Sequence, residues 1–268
     1  MSTLITIIKE HISYRSQIVR LARADLIKTY RGAALGWFWA IIKPAVTIFV
    51  YWFAFEIGLR VSGMVDNYPF FLWLIAGILP WFYMSDMITL GTDCVRKNSH
   101  LVTKMKFPVS VIPTFTNVSK MIIEFLLIII TMIIFLAMGY PLTIYMIQLP
   151  IYIILMFVFF NCWALFASFI AAMSKDFSNL VKSFVTAVFW LSGVIWNVDN
   201  IHSRALKLFL DINPVTYITT GFRNCFLGQK WFFQEPKGMI AFLIITVIML
   251  ILGLWSYKKL YKEIPDVL

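Results

Sequence analysis

Long apolar runs alternate with short polar segments along the chain. A helix needs roughly 20 apolar residues to cross the hydrocarbon core of a bilayer. Backbone amides in lipid must be bonded internally, and no run shows the strict alternation of a barrel strand, so the runs are expected to be helices. The pattern predicts six membrane-spanning helices at residues 33–57, 70–90, 109–138, 144–173, 180–196 and 239–257.

The chain before the first apolar run has a different pattern. Over residues 4–30, apolar positions from Ile5 onward recur at helical spacing, and basic residues such as Lys9 fall on the opposite face. This predicts an amphipathic helix, and its basic face suits a helix in the plane of the membrane. A cytosolic helix that packs on the membrane domain is the alternative. We expect a cytoplasmic interfacial helix at 1–32 and a six-span transmembrane domain at 33–268.

The segment 197–238, between the fifth and sixth runs, is long but not very polar. Apolar residues stand on both sides of Asn213-Pro214. Proline lacks an amide hydrogen and disfavours helix at the residue before it. Two short helices that meet at this break are therefore expected, either re-entering the membrane or lying flat on it. The predicted fold is an all-α integral membrane protein with six spans and short re-entrant or interfacial helices before the last one.

Composition and charge support the membrane assignment. The chain is 61% hydrophobic and 13% charged, whereas soluble domains carry about 25% charged residues. Its net charge is +10, and the basic residues cluster between apolar runs, where anionic headgroups explain them better than nucleic acid does. With the N-terminus inside, cytoplasmic segments carry fifteen Lys and Arg and outer segments six. The positive-inside rule then predicts that both termini are cytoplasmic.

Motifs for catalysis and nucleotide binding are missing from the sequence. It contains no G-x-x-x-x-G-K-[ST] phosphate loop, no HExxH and no GxSxG. The three histidines are scattered, and Cys94, Cys162 and Cys225 form no CxxC pair. We therefore expect no catalytic site, metal or other cofactor on this chain. If transport is driven by ATP, hydrolysis must occur on another protein.

Four groups of residues, in the right order along nearly the whole chain, resemble ABC-2 type polysaccharide export permeases. They are Tyr30-Arg31 with Leu35-Gly36, Trp39 and Pro44; Asn98, Leu101, Val102, Lys104, Phe107 and Pro108; Asn213-Pro214 with Gly221-Phe222-Arg223; and Tyr257-Lys258-Lys259-Leu260 with Glu263-Ile264-Pro265-Asp266. Within the family, the overall pattern looks most like the transmembrane subunit of wall teichoic acid exporters.

The resemblance implies a homodimer of six-span subunits in the bacterial cell membrane. It implies two copies of a partner ATPase, which would bind ATP and Mg at the cytoplasmic face. It implies export of a lipid-linked polymer, teichoic acid or a similar polysaccharide, along a path between the subunits. The alternatives are an O-antigen-type or small-molecule exporter of the same fold, a membrane-embedded glycosyltransferase or acyltransferase, and a scaffold without a transport role.

The basic loop at 92–108 is the predicted contact with the ATPase. Its basic side chains suit an acidic groove, and two apolar residues suit an anchor. A plain basic loop that only obeys the positive-inside rule is the alternative. The predicted coupling residues are Arg96, Lys97, Asn98, Leu101, Val102 and Lys104.

Charged residues inside the apolar runs are the first candidates for a substrate path, because each costs about 3 kcal/mol at mid-bilayer on insertion scales. Lys43, Asp86, Lys120 and Glu124 are such residues. Lys120 and Glu124 are four apart on one predicted helix, so they are able to pair. The four residues either line the entry of a polar headgroup or only hold helices together.

Three further path candidates lie toward the predicted outer side. Trp73 offers an aromatic face to sugars or polyols, although tryptophan also concentrates at membrane interfaces. Arg204 and Arg223 suit phosphates of a polymer, and they suit lipid phosphates equally well.

Overall fold

The computed structural model describes residues 2–59, 64–65, 67–105, 107–198 and 201–264, and these are almost entirely helical. Pro265 and Asp266 of the family-like tail lie outside the described residues. The α-helices are α1 Ser2–Ser13, α2 Arg15–Tyr30, α3 Trp39–Trp52, α4 Phe70–Lys97, α5 Ser99–Thr103, α6 Val111–Ala137, α7 Leu149–Met173, α8 Lys175–Leu191, α9 Arg204–Ile212, α10 Pro214–Leu227 and α11 Pro236–Leu260. A π-helical turn, Phe53–Gly58, extends α3, and short 3-10 turns lie at Gly36–Phe38, Ile144–Gln148 and Phe232–Gln234. The strands β1 Met64–Val65 and β2 Tyr68–Pro69 form one antiparallel hairpin.

Five helical stretches in the described chain are long and apolar enough to cross a membrane. They are Gly36–Gly58, Phe70–Thr103, Val111–Ala137, Ile144–Met173 and Pro236–Leu260. The predicted all-α membrane class is thus confirmed. The remaining predicted span, 180–196, corresponds to α8, which has 17 residues and ends at Leu191 because the chain turns at Ser192 and Gly193. A sixth crossing stays a prediction.

Helix α4 is the centre of the bundle. In an apolar stretch of 18 residues, 78% of the residues are buried inside the protein, and the helix packs against α6, α7, α8 and α10. In the corresponding stretches of Gly36–Gly58 and of α11, only 11% and 17% of the residues are buried. Apolar side chains that face outward without protein neighbours are stable only in an apolar surrounding, so this distribution fits a bundle set in lipid.

The N-terminal segment forms two helices, α1 and α2, and both dock on the bundle. Ile7, Ile18 and Ala22 are buried against the segment around α5 and the start of α6. Other apolar residues of the predicted amphipathic face, including Ile5 and Ile12, remain exposed. The segment therefore packs on the membrane domain, as the alternative interpretation expected. Insertion of its exposed face into headgroups stays a prediction.

Polar contacts fix the same two helices. Glu10 accepts hydrogen bonds from the hydroxyls of Ser110 and Tyr257. The ring of His11 lies 2.7 Å from the Thr114 hydroxyl, and Ser119 donates to Asp25 at 2.8 Å. These contacts define what we call the N-terminal end of the bundle, where α1, α2 and α5 meet.

The predicted break at Asn213-Pro214 separates α9 from α10. The Asn213 side chain accepts from the Val215 amide at 2.9 Å, and Pro214 occupies the first turn of α10, where its missing donor costs nothing. Most of α10 is buried within the bundle, whereas α9 is exposed except for Leu210. The predicted pair of short helices before the last span is confirmed.

Candidate functional site

Four of the predicted path residues line one cavity. The cavity has a volume of about 520 Å³ and lies between α2, α3, α4 and α6, toward the N-terminal end of the bundle. Lys43 reaches it from α3, Asp86 from α4, and Lys120 and Glu124 from α6. We call this space the charged cavity. Residues that are far apart in sequence thus meet around a space large enough for a ligand group.

The ion pair in the charged cavity differs from the predicted one. The Lys120 ammonium lies 3.2 Å from the Asp86 carboxylate, so the pair joins α6 to α4 instead of Lys120 to Glu124 within α6. The Lys120 side chain is 6% exposed and that of Asp86 is 36% exposed. Asp86 is therefore the more accessible member of the pair.

Glu124 is the most unusual polar group in this cavity. It is 1% exposed, and neither carboxylate oxygen has a hydrogen-bond partner among the described residues. A buried polar group without a partner costs free energy that a well-packed apolar residue would not. Because Glu124 lines the cavity, its oxygens are acceptors for a group bound there.

Aromatic side chains form much of the remaining wall. Tyr30, Tyr51, Trp81 and Phe189 line the cavity, and the Phe189 ring lies 5.3 Å from Tyr51 and 5.2 Å from Trp81 between ring centres. Burial, and then the nearby charge of Asp86, raises the pKa of Tyr30, so its hydroxyl stays a donor. The charged cavity thus combines cations, a buried acceptor and apolar ring surfaces. Tyr30 belongs to one of the family-like groups of residues, whereas nothing in the sequence singled out Tyr51 or Phe189.

Trp73 and Arg223 meet in a second space, at the opposite end of the bundle. The Arg223 guanidinium carbon lies 3.6 Å from the centre of the Trp73 ring, and both residues line a cleft of about 1100 Å³. Arg223 is 5% exposed and donates to the carbonyls of Gly193 at 2.9 Å and Val194 at 2.6 Å. These contacts attach α10 to the turn after α8. Arg204 lies on exposed α9 and lines neither space.

We call the second space the aromatic cleft, after the partly exposed rings of Tyr68, Tyr140 and Trp231. The Tyr68 and Tyr140 ring centres are 5.0 Å apart. Burial, followed by the proximity of Tyr140, raises the pKa of Tyr68, so its hydroxyl stays protonated. The seven predicted path residues therefore divide into four in the charged cavity, two in the aromatic cleft and one outside both.

Comparison with known proteins identifies the family. The sequence model of the ABC-2 type transporter family matches residues 16–227. This chain belongs to the ABC-2 type transporter family. An O-antigen export system permease protein RfbA of Myxococcus xanthus is 24% identical over 261 residues, which cover 97% of this chain and 96% of the relative. Two proteins of the same name from Klebsiella pneumoniae are 24% and 25% identical over 254 residues, covering 94% of each chain.

The loop of this ABC-2 permease that was predicted to contact an ATPase contains α5. Lys97 and Lys104 are exposed, whereas Leu101 and Val102 are each 6% exposed and pack against the N-terminal helices. The two apolar residues thus hold the loop to α1 and α2 and are not presented as a surface anchor. Met105, which is 67% exposed, provides an apolar surface beside Lys104. Contact between this loop and an ATPase stays a prediction.

Two of the other predicted coupling residues are engaged within the ABC-2 permease. Arg96 donates to the carbonyls of Ala171 and Ala172 at the end of α7, and Asn98 donates to the Cys94 carbonyl at 2.9 Å. The last carbonyls of a helix lack intrahelical partners, so Arg96 satisfies groups that would otherwise need water. Arg96 therefore joins α4 to α7.

Sequence reasoning missed an ionic contact beside this loop. The Asp93 carboxylate accepts from the Ser178 hydroxyl at 2.5 Å and lies 2.6 Å from the Lys182 ammonium. Ser178 and Lys182 are four residues apart on one face of α8, but Asp93 lies on α4, so spacing in the sequence gave no signal for this contact. The contact connects the end of α4 that leads into α5 with α8 of the ABC-2 permease.

Proposed function

We propose that this chain is the permease subunit of an exporter that moves a lipid-linked, O-antigen-type polysaccharide from the cytoplasm to the cell exterior. The observation that carries the proposal is the near-complete alignment with relatives named as O-antigen export permeases, which spans 94–97% of this chain. These names favour an O-antigen-type glycan over the teichoic acid that the sequence resemblance suggested.

The charged cavity supports a role in handling a polar headgroup. A lipid-linked glycan presents phosphate beside hydroxylated sugar rings. Lys43 is a cation suited to phosphate, Glu124 is an acceptor for hydroxyls, and the aromatic walls suit the apolar faces of sugars, whereas Lys120 is already paired with Asp86. The buried Glu124 side chain costs stability, and binding of the transported ligand accounts for a group that lowers stability at this position.

The power source in this proposal is a separate ATPase. Membership of the ABC-2 family supports such a partner, and the sequence has no phosphate loop of its own. We expect two ATPase copies with bound ATP and Mg at the N-terminal end of the bundle, where Lys97, Lys104 and Met105 are exposed. We expect two permease copies in the bacterial inner membrane with all termini cytoplasmic. The apolar surface of α3, little of which is buried, is available to lipid or to the second copy.

Deletion of the gene tests this proposal directly. Surface polysaccharide is expected to disappear, with glycan accumulating inside the cell, and the intact gene is expected to restore it. In nanodiscs, the permease with its ATPase is expected to hydrolyse ATP faster with lipid-linked glycan and not with small amphiphilic drugs. Unchanged surface polysaccharide after deletion would contradict the proposal. Stimulation by drugs alone would favour a small-molecule exporter.

A further inference from the structure

We propose that the aromatic cleft is a binding site for uncharged sugar residues of the exported glycan. This inference rests on the proposed function and adds a site and a substrate preference to it. The cleft measures about 1100 Å³, whereas pockets for drug-sized ligands occupy about 300–1000 Å³. The space is therefore sufficient for more than one sugar ring.

Ring surfaces in the cleft suit sugars. Tyr68, Tyr140 and Trp231 line it and are partly exposed. Aromatic rings combine an apolar face with a polar edge, which matches the C–H faces and hydroxyl rims of sugar rings. The Trp231 ring is supported by Tyr145, whose ring centre lies 4.8 Å away. Trp231 therefore packs on Tyr145 while part of its surface remains accessible.

A buried glutamine holds the segment that carries Trp231. Gln148 is 1% exposed, and its side chain donates to the Lys230 carbonyl at 2.8 Å and accepts from the Phe232 amide at 2.8 Å. The Gln234 side chain accepts from the Trp231 amide at 2.9 Å. The backbone on both sides of Trp231 is thus fixed before any ligand binds. Such preorganisation lowers the entropy lost on binding.

Polar groups in the cleft suit hydroxyls. The side-chain amides of Asn67, Asn224 and Gln229 line it, and each amide both donates and accepts. Sugar hydroxyls also donate and accept, whereas a phosphate diester only accepts. The amides therefore match the hydroxyls of a ligand better than its phosphate groups.

Charge in the cleft points to the same class of ligand. The Arg223 guanidinium is bound to two carbonyls and stacked on Trp73. The Lys230 ammonium lies 2.7 Å from the Glu235 carboxylate. Lys207 and Asp211 are four residues apart on α9, and each interacts within the protein. Lys237 also lines the cleft and is exposed. Recognition of a phosphate chain calls for several cations directed at the ligand, and three of the four cations in this lining already interact within the protein, so the lining favours uncharged sugars over a polyol phosphate.

Ligand-observed saturation-transfer NMR on the permease with its ATPase in nanodiscs tests the site. The probes are uncharged hexose and deoxyhexose oligosaccharides of four to six units, and glycerol phosphate and ribitol phosphate oligomers of equal length. Saturation transfer is expected to uncharged oligosaccharides and not to the phosphate oligomers. Trp231→Ala and Tyr140→Ala are expected to weaken binding about three- to tenfold.

The matched control is Phe209→Ala, because Phe209 is an exposed aromatic residue of α9 that does not line the cleft. It is expected to bind like the wild type. Trp231→Phe keeps a ring in place and is expected to restore most of the affinity, so loss by misfolding is separated from loss of the ring. Stronger binding of the phosphate oligomers would overturn the inference. Equal binding by the wild type and the two alanine variants, or no binding by any of the three, would also overturn it.

Surface polysaccharide distinguishes failure of the proposed function from failure of the cleft assignment. If gene deletion leaves surface polysaccharide intact, the proposed function fails. If deletion abolishes it while the Trp231→Ala and Tyr140→Ala variants export normally and bind oligosaccharides like the wild type, only the cleft assignment fails.

Discussion

The Lys182 ammonium lies 2.6 Å from the Asp93 carboxylate and joins α8 to the end of α4. The Lys182 side chain is 47% exposed, whereas that of Asp93 is 11% exposed. The effect of removing one partner therefore depends on which charge remains in the protein. Without Lys182, a largely buried carboxylate keeps its bond to Ser178 but loses its cation, whereas without the Asp93 charge the ammonium remains accessible to water.

This asymmetry predicts the order of destabilisation. Lys182→Met is expected to lower the free energy of unfolding by about 1–3 kcal/mol, and Asp93→Asn by less. The double variant is expected to be more stable than the sum of the single effects indicates, because the two residues interact. Thermal unfolding of the four proteins in detergent measures this coupling. Strictly additive effects would show that the contact contributes nothing.

Glu124 leads to a prediction of opposite effects on stability and transport. Glu124→Met removes a buried carboxylate that has no partner among the described residues and replaces it with an apolar side chain of similar length. The variant is expected to gain about 1–3 kcal/mol of stability and to lose most polysaccharide export. Thermal unfolding and surface polysaccharide, measured on the same variant, check the two halves.

The control for this variant is Ile129→Met, because Ile129 is an exposed apolar residue on the same helix. It is expected to leave both quantities unchanged. A Glu124→Met protein that exports normally would remove the carboxylate from the transport path. A destabilised one would show that the carboxylate is satisfied by water or another group.

Gly77 allows close approach of Arg223 to α4. A Cβ at Gly77 would overlap the Arg223 guanidinium, which is held by two carbonyls and the Trp73 ring and therefore has little freedom to move. Gly77→Ala is expected to cost about 1–3 kcal/mol despite the better helix propensity of alanine. Gly58→Ala is the matched control, because a Cβ there meets its nearest atom at 3.8 Å. Equal unfolding temperatures for the two variants would contradict the packing argument.

The predicted orientation in the membrane is accessible to cysteine labelling. Cys94, Cys162 and Cys225 are all buried, so the unmodified protein is expected to react little with a membrane-impermeant maleimide. Cysteine substituted at exposed Lys104 is expected to label in inside-out vesicles, and cysteine at exposed Ser203 in right-side-out vesicles. The opposite pattern would reverse the assignment of both termini to the cytoplasm.

The sequence predicts the helices of this protein better than their contacts. Apolar runs show where spans lie because the bilayer sets their length locally. Charged residues in those runs, such as Lys120 and Glu124, stand out because they are rare in lipid. Their partners depend on how each helix is rotated, so the Lys120–Asp86 pair between α6 and α4 was not predictable from spacing within α6.

The loop and the cleft show the same limit. Arg96 looked like a residue for a partner protein, yet it binds carbonyls at the end of α7, which only the folded chain brings near. Trp231 has no distinguishing pattern in sequence, because its role depends on Gln148, more than 80 residues away, holding the adjacent backbone. The periodicity of the sequence does not predict sites that form between distant segments.

Helix α8 is attached to neighbouring helices in its first half and just after its end. Asp93 of α4 binds Ser178 and Lys182 of α8, and Arg223 and Thr216 of α10 bind the carbonyls just after its end. The helix is roughly 26 Å long, since each residue adds about 1.5 Å. A displacement of the segment where α4 leads into α5 is therefore expected to move α8 and, with it, the Gly193 and Val194 carbonyls that hold Arg223 in the aromatic cleft.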